Sequence, residues 1–157
     1  MIGKEVVLRV RMSAGEAHYA GDLVNGSHIL DFFGDVGTEL MIRNDGDESL
    51  FVGYKDVEFL APVYAGDFME YHGWIEERGK SSRTCKFEAY KYIELAKEDG
   101  LAISAANVLK EPVLCGKATG NILFSLESPG ENSISCTPAP TRFTHRQSEH
   151  IAKRPDN

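Results

Sequence analysis

Apolar and polar positions alternate at the start of the chain. Across residues 4–12, KEVVLRVRM, the side chains of Val6, Leu8, Val10 and Met12 fall on one side and Arg9 and Arg11 on the other, the period of a half-buried strand. The period changes over residues 25–45, NGSHILDFFGDVGTELMIRND. At about 100° per residue, Ile29, Phe32, Phe33, Val36 and Leu40 gather on one face, and Leu30 and Met41 join Gly34 and Gly37 on a second. The narrow side that remains carries His28, Asp31, Asp35 and Glu39. This pattern predicts a helix over 25–45, capped by Asn25 or Ser27. The segment 13–24, with small residues, two glycines and the pair His18-Tyr19, reads as the loop that delivers the chain to it.

Strand signals dominate the remainder. Residues 49–67 read as a strand ending near Pro62, and 67–77 and 81–95 as an antiparallel hairpin around Arg78-Gly79-Lys80, with Cys85, Phe87, Ala89 and Ile93 facing inward. Residues 96–107 are ambiguous between loop and short helix. A final strand is expected from Pro112, so the predicted order is strand, helix, four strands. From Ser125 onward Ser, Pro and charge prevail without an apolar period. The folded domain is therefore assigned to 1–126, and 127–157 is expected as a mobile tail or as an arm docking on a neighbouring subunit through Phe143 and Ile151. His145 and His150 lie in that tail.

Two glycines complicate a purely amphipathic account of the helix. Gly34 and Gly37 each cost roughly 1 kcal/mol against alanine in a helix interior, so a close approach by backbone or ligand is expected there. A helix approached that tightly lies inside the molecule, and its carboxylates then border a cleft or a subunit boundary where desolvation tunes them. In an ordinary surface helix the same Asp31, Asp35 and Glu39 would simply face water.

Composition narrows the function classes. The 157 residues suffice for one domain, and no apolar run approaches the ~20 residues of a membrane span. A net charge of −7 without a basic tract argues against nucleic acid as a partner. The N-terminus alternates like a strand instead of carrying a signal-peptide core, which points to the cytoplasm. Cys85, Cys115 and Cys136 are too widely spaced for a disulfide framework or a CxxC metal site, and no histidine has ligand spacing, so no metal is expected. Cys115 is either a small buried thiol or a nucleophile.

One helix among antiparallel strands, with glycines where they would touch, resembles the hotdog fold, an α+β architecture in which a curved antiparallel sheet wraps one long central helix. The segments AHYAGDLVNGSHILDFFGDVGTEL, LFVGYKDVEFLAPVYAGDFMEYHGWIE and EPVLCGKATG resemble the β-aminoacyl-CoA ammonia-lyases, such as those acting on 3-aminobutyryl-CoA and β-alanyl-CoA. Phe59, Pro62, Val63, Gly66 and Asp67 match a signature shared with hotdog acyl-CoA thioesterases, and Asp35 matches their helix aspartate if Ser27 and His28 stand in for a glycine pair. That missing glycine pair speaks against thioester hydrolysis. A thioesterase of the same fold and a non-catalytic acyl-CoA-binding module are the alternatives.

The resemblance implies reversible elimination of ammonia from a β-aminoacyl-CoA, as in amino-acid fermentation, that of lysine included. Its partners would be the acyl-CoA substrate and ammonia, with no cofactor beyond the CoA of the substrate. A base must take the α-proton, donors must hold the enolate oxygen, and the leaving nitrogen must stay protonated. Asp35 is the leading base candidate and Glu39 its partner or substitute; His18 and His28 are further catalytic candidates. Tyr19, Asn25, Gly26 and Ser27 are candidates for substrate binding, the N–H groups of residues 26–28 serving as oxyanion donors at the positive end of the helix. Lys80, Arg83 and Lys91 are weaker candidates for the CoA phosphates. Hotdog proteins pair edge to edge, so a homodimer or an assembly of dimers is implied, consistent with the long unpaired edges of a single sheet.

Overall fold

A computed structural model describes residues 2–124. The chain runs β1 (Ile2–Arg11), two short strands β2 (Ala17–Tyr19) and β3 (Leu23–Val24), helix α1 (His28–Asp45), then β4 (Leu50–Phe59), β5 (Phe68–Arg78), β6 (Ser82–Leu95) and β7 (Ala106–Leu123). Five strands form one antiparallel sheet in the order β1-β5-β6-β7-β4, and β2 pairs with β3 in a separate ribbon. The expected α+β plan is present. Beyond it, β2 and β3 give the predicted loop a backbone ladder, and β7 starts six residues before Pro112. Pro112 sits within the register shift of the β6–β7 pairing between Lys91 and Ile93, where an imino acid interrupts little. The tail expected over 127–157, with Cys136, His145 and His150, lies outside the described residues.

The helix forms because one face has a place to go. Ile29, Phe33, Val36, Gly37, Leu40 and Met41 are buried, and α1 meets all five strands of the sheet. Inward positions at period two complete the core: Met69, Tyr71 and Ile75 from β5; Cys85, Phe87 and Ala89 from β6; Ala118 and Ile122 from β7. A methyl on Gly37 would stand 3.0 Å from Phe51 and 3.1 Å from Ile122, so the sheet does press against this glycine. Gly34 differs: the nearest atom to its added Cβ is the Tyr54 hydroxyl at 3.9 Å, an ordinary contact. Gly46, at φ 74°, ends the helix in the left-handed region and donates its N–H to Ile42 O at 3.0 Å.

Two ion pairs fasten the connections. Arg83 is buried and grips Asp45, the last helical residue, at 2.6 and 3.1 Å, while also donating to the carbonyls of Gly79 and Ser82 at 3.0 Å. Lys91 is buried on β6, with Asp67 at 3.4 Å, Glu94 at 3.0 Å and the Pro62 carbonyl at 3.3 Å. Burial dominates at Asp67 and holds its carboxyl above the ordinary range despite the ammonium. At Lys91 burial is outweighed by the bond to Glu94 and the charges of Asp67 and Glu94, so the ammonium stays charged. Both cations are thereby committed to the fold, which withdraws Arg83 and Lys91 as phosphate ligands.

Candidate functional site

A cleft of about 500 Å³ opens at the N-terminal end of α1, between the β2–β3 ribbon and the segment after β4. Tyr19, Asn25, Gly26 and Ser27 stand on one wall, and Phe59, Leu60 and Pro62 face them. The lining is mostly apolar, as a channel for an acyl-pantetheine arm requires. The ring of Phe59 lies so near Gly26 that an added Cβ would meet it at 3.2 Å, which keeps residue 26 a glycine. The loop after β4 holds its place through Asp67, whose carboxylate accepts the Tyr64 N–H at 2.8 Å, and through Lys91 on the Pro62 carbonyl.

The helix start is partly self-satisfied. Asn25, not Ser27, supplies the capping acceptor: its Oδ1 takes the Ser27 N–H at 3.2 Å and its carbonyl takes the His28 N–H at 2.9 Å. Of the three N–H groups at residues 26–28, only that of Gly26 is without a partner among the described residues. One donor, in place of three, is therefore free to meet an enolate oxygen at this end of the helix.

His28 is the centre of a polar cluster. Its Nε2 lies 2.9 Å from Glu16 and its Nδ1 2.9 Å from Asp31. Two carboxylates on one imidazole favour the doubly protonated ring. Partial burial opposes that charge, but the bonds to Glu16 and Asp31 outweigh it and raise the His28 pKa. Glu16 responds in the opposite sense: burial pushes up, yet the bonds from His28 and from the Ser13 N–H bring its pKa below the ordinary carboxylate range. With both ring nitrogens engaged, His28 is a bridging cation and not a free base. Sequence reasoning missed Glu16. The available signal was Ser13-x-x-Glu16, a capping-box spacing that fixes the carboxylate on the short turn Ala14–Glu16.

The other candidates separate. Asp35 is exposed on the polar side of the helix, below Asp31. Tyr54 of β4 adjoins that side, donating its hydroxyl to the Leu30 carbonyl at 2.9 Å; burial first, then the charges of Asp31 and Asp35, push its phenol up to about 12. Glu39 does not turn toward Asp35. It pairs with Arg43 one turn on at 2.6 Å, the favourable orientation for such a helical pair. His18 is exposed and meets the Tyr19 ring edge-on at 4.8 Å. Cys115 is buried, its thiol directed to the Val113 carbonyl at 3.4 Å, and burial raises its pKa, so it stays a neutral thiol. Among the described residues no helix is long and apolar enough to cross a membrane.

Comparison with known proteins places these features in a family, although no family model matches the chain. The 3-aminobutyryl-CoA ammonia lyase of Acetoanaerobium sticklandii is 51% identical over 114 residues, 73% of this chain and 89% of that protein. The structure of the β-alanyl-CoA:ammonia lyase from Clostridium propionicum superposes with a TM-score of 0.78 at 55% identity, covering 82% of this chain and 90% of that one. A hexameric hotdog-fold thioesterase of Campylobacter jejuni matches with a TM-score of 0.62 over 75% of this chain and 80% of its own, at 13% identity, a likeness of fold alone. Half or more of the aligned residues are shared with both lyases, over 73% and 82% of this chain. By that measure this hotdog-fold chain belongs to the β-aminoacyl-CoA ammonia-lyases.

Proposed function

We propose that the protein catalyses the reversible elimination of ammonia from a β-aminoacyl-CoA, either 3-aminobutyryl-CoA to crotonyl-CoA or β-alanyl-CoA to acryloyl-CoA. The observation that carries this reading is the identity of 51% and 55% with two lyases of that reaction type. The two substrates differ by one methyl, worth only about 1–3 kcal/mol of discrimination in an apolar pocket. The apolar cleft receives the pantetheine and acyl chain, and the free Gly26 N–H holds the enolate oxygen as the α-proton leaves. One such preorganised donor contributes roughly 3–4 kcal/mol to that step. Asp35 lies two turns into α1 and outside the cleft lining, so it is read as the base that takes the α-proton of a thioester held by the Gly26 N–H of a second copy. His28, held as a cation between Glu16 and Asp31, sets the field at the helix start, and Glu39 remains with Arg43. No cofactor beyond the CoA of the substrate takes part, because the thioester itself acidifies the α-carbon.

The reading includes a homodimer or an assembly of dimers. It is supported by β4, which ends the sheet with Leu50, Val52 and Phe59 at least half exposed or nearly so, a row of unpaired backbone that a second copy would extend. Because Tyr54 sets β4 beside the polar side of α1, a copy docked there also covers Asp31 and Asp35 and withdraws them from water. The reduced, buried Cys85 and Cys115 fit a cytoplasmic enzyme of amino-acid fermentation.

The test follows the absorbance of crotonyl-CoA and acryloyl-CoA with and without ammonium, with free thiol read in parallel, for the wild type and Asp35→Asn. Ammonia-dependent loss of absorbance without thiol is expected, with the Asp35→Asn rate lower by about 10²-fold or more. Thiol release without ammonia would mean a thioesterase instead.

A further inference from the structure

Nothing among the described residues explains why residue 34 of α1 is a glycine. Glycine is the poorest helix former after proline, and a helix interior keeps one where something must come closer than a side chain permits. Gly37 meets that condition within this chain, pressed by Phe51 and Ile122. Gly34 does not: it is partly exposed, and an added Cβ would have only the Tyr54 hydroxyl within 4 Å, at 3.9 Å. Tyr54 donates that hydroxyl to the Leu30 carbonyl at 2.9 Å, one turn before Gly34, so β4 floors the notch without filling it. Its proton is thereby committed, and an apolar group entering the notch leaves no donor unpaired. The notch also adjoins the base. Of the helix positions bordering Asp35, residues 31, 32, 34, 36, 38 and 39, Gly34 alone lacks a side chain. Its Cα is about 3.8 Å from that of Asp35.

We propose that Gly34 is the specificity-determining position for the β-carbon of the substrate: its missing side chain leaves the room in which a β-methyl seats beside Tyr54 and Leu30. The inference rests on the lyase reading with Asp35 as base, and it names the acyl group for which the site is shaped. A base that takes the α-proton stands at hydrogen-bond distance from it, about 3 Å, so the α-carbon comes to Asp35. The β-carbon follows one bond further, within a residue's width of the carboxylate. That carbon bears the methyl by which 3-aminobutyryl-CoA differs from β-alanyl-CoA, and the open space beside Asp35 lies over Gly34. An alanine there would take the same room from anything approaching the helix, and the loss would fall on the methylated substrate.

Steady-state kinetics of ammonium addition to crotonyl-CoA and acryloyl-CoA test this in the wild type and Gly34→Ala, with melting temperature and size-exclusion chromatography in parallel and Gly37→Ala as the crowded control. The wild type should accept crotonyl-CoA. In Gly34→Ala the kcat/KM for crotonyl-CoA should fall about tenfold or more relative to that for acryloyl-CoA. Its melting temperature should hold or rise, because alanine is the better helix former and meets no atom closer than 3.9 Å, whereas Gly37→Ala should melt lower. A crotonyl-to-acryloyl ratio that stays within about twofold of the wild type would overturn the inference and leave the lyase reading intact. Equal losses on both thioesters with weaker self-association would assign the notch to a second copy and overturn it equally. So would a wild type that adds ammonium to acryloyl-CoA alone, since no methyl is then accommodated. A wild type that adds ammonium to neither thioester would remove the lyase reading and this inference together.

Discussion

Replacing Lys91 by methionine tests how the cleft wall is held. The substitution keeps the length and apolar stem of the side chain and removes only the ammonium. Asp67 is 2% exposed, and without Lys91 its carboxylate retains one donor, the Tyr64 N–H at 2.8 Å. Breaking a buried pair from one side costs about 3–5 kcal/mol, because the remaining charge has neither water nor counter-ion. For a chain of this size that lowers the melting temperature by about 10 °C. The pH dependence identifies the cause. A native carboxyl held above its ordinary value of 3.8 costs stability at neutral pH and ceases to do so once protonated. The deficit of Lys91→Met should therefore be full near neutrality and shrink as pH falls through the raised native pKa of Asp67 toward 3.8. Adding Asp67→Asn, which removes the stranded charge, should recover most of the loss. Thermal unfolding by circular dichroism at several pH values measures all three proteins. A deficit under about 1 kcal/mol at neutral pH, or a double variant no more stable than Lys91→Met, would refute the argument.

Gly73 of β5 faces the helix so closely that a Cβ there would stand 2.5 Å from Val36 and 3.1 Å from Phe87; Gly73→Ala should destabilise by about 1–3 kcal/mol, and an unchanged urea midpoint would contradict the close approach. His28 has a raised native pKa, so its ion pairs stabilise fully below the ordinary 6.5 and fade as pH rises through the native value. His28→Asn should accordingly lose roughly 1 kcal/mol at mildly acidic pH and much less well above the native pKa, and equal losses at both would show that the charge plays no part.

Much of the architecture is legible because burial imposes a period. Val6 on β1, Met12 just past its end, and Cys85, Phe87 and Ala89 on β6 are buried at the period their sequence shows, and the apolar face of α1 is the buried one. The pattern fails where contacts, not periodicity, decide. Across Ala106–Glu111 the apolar Ala106, Val108 and Leu109 do not keep a strict alternation with the polar positions, yet the segment is a strand because β6 supplies a ladder for its backbone. Lys91 reads as a surface residue until Asp67, distant in sequence, is brought beneath it. At the site, the residues next to one another in sequence, Asn25 to Ser27, all line the cleft, whereas Glu16 is joined to His28 across 12 positions by the fold of the ribbon. Glu39 departs from the expected pairing with Asp35 for a local reason: Arg43 lies one turn away and competes for it.

The strand order also governs when the fold can begin. β1 and β4, the two long strands that flank the helix in sequence, lie at opposite edges of the sheet, and their partners are β5 and β7. Nothing before residue 68 can pair within the main sheet until β5 exists, and β4 waits for β7. During synthesis the helix and both edge strands therefore emerge from the ribosome without sheet partners; β5 first lets β1 pair, and the local β5–β6 hairpin follows. Closure waits on contacts of long sequence separation, which sets this small domain among the slower folders and leaves its apolar helix face open to chaperones until the last strand arrives.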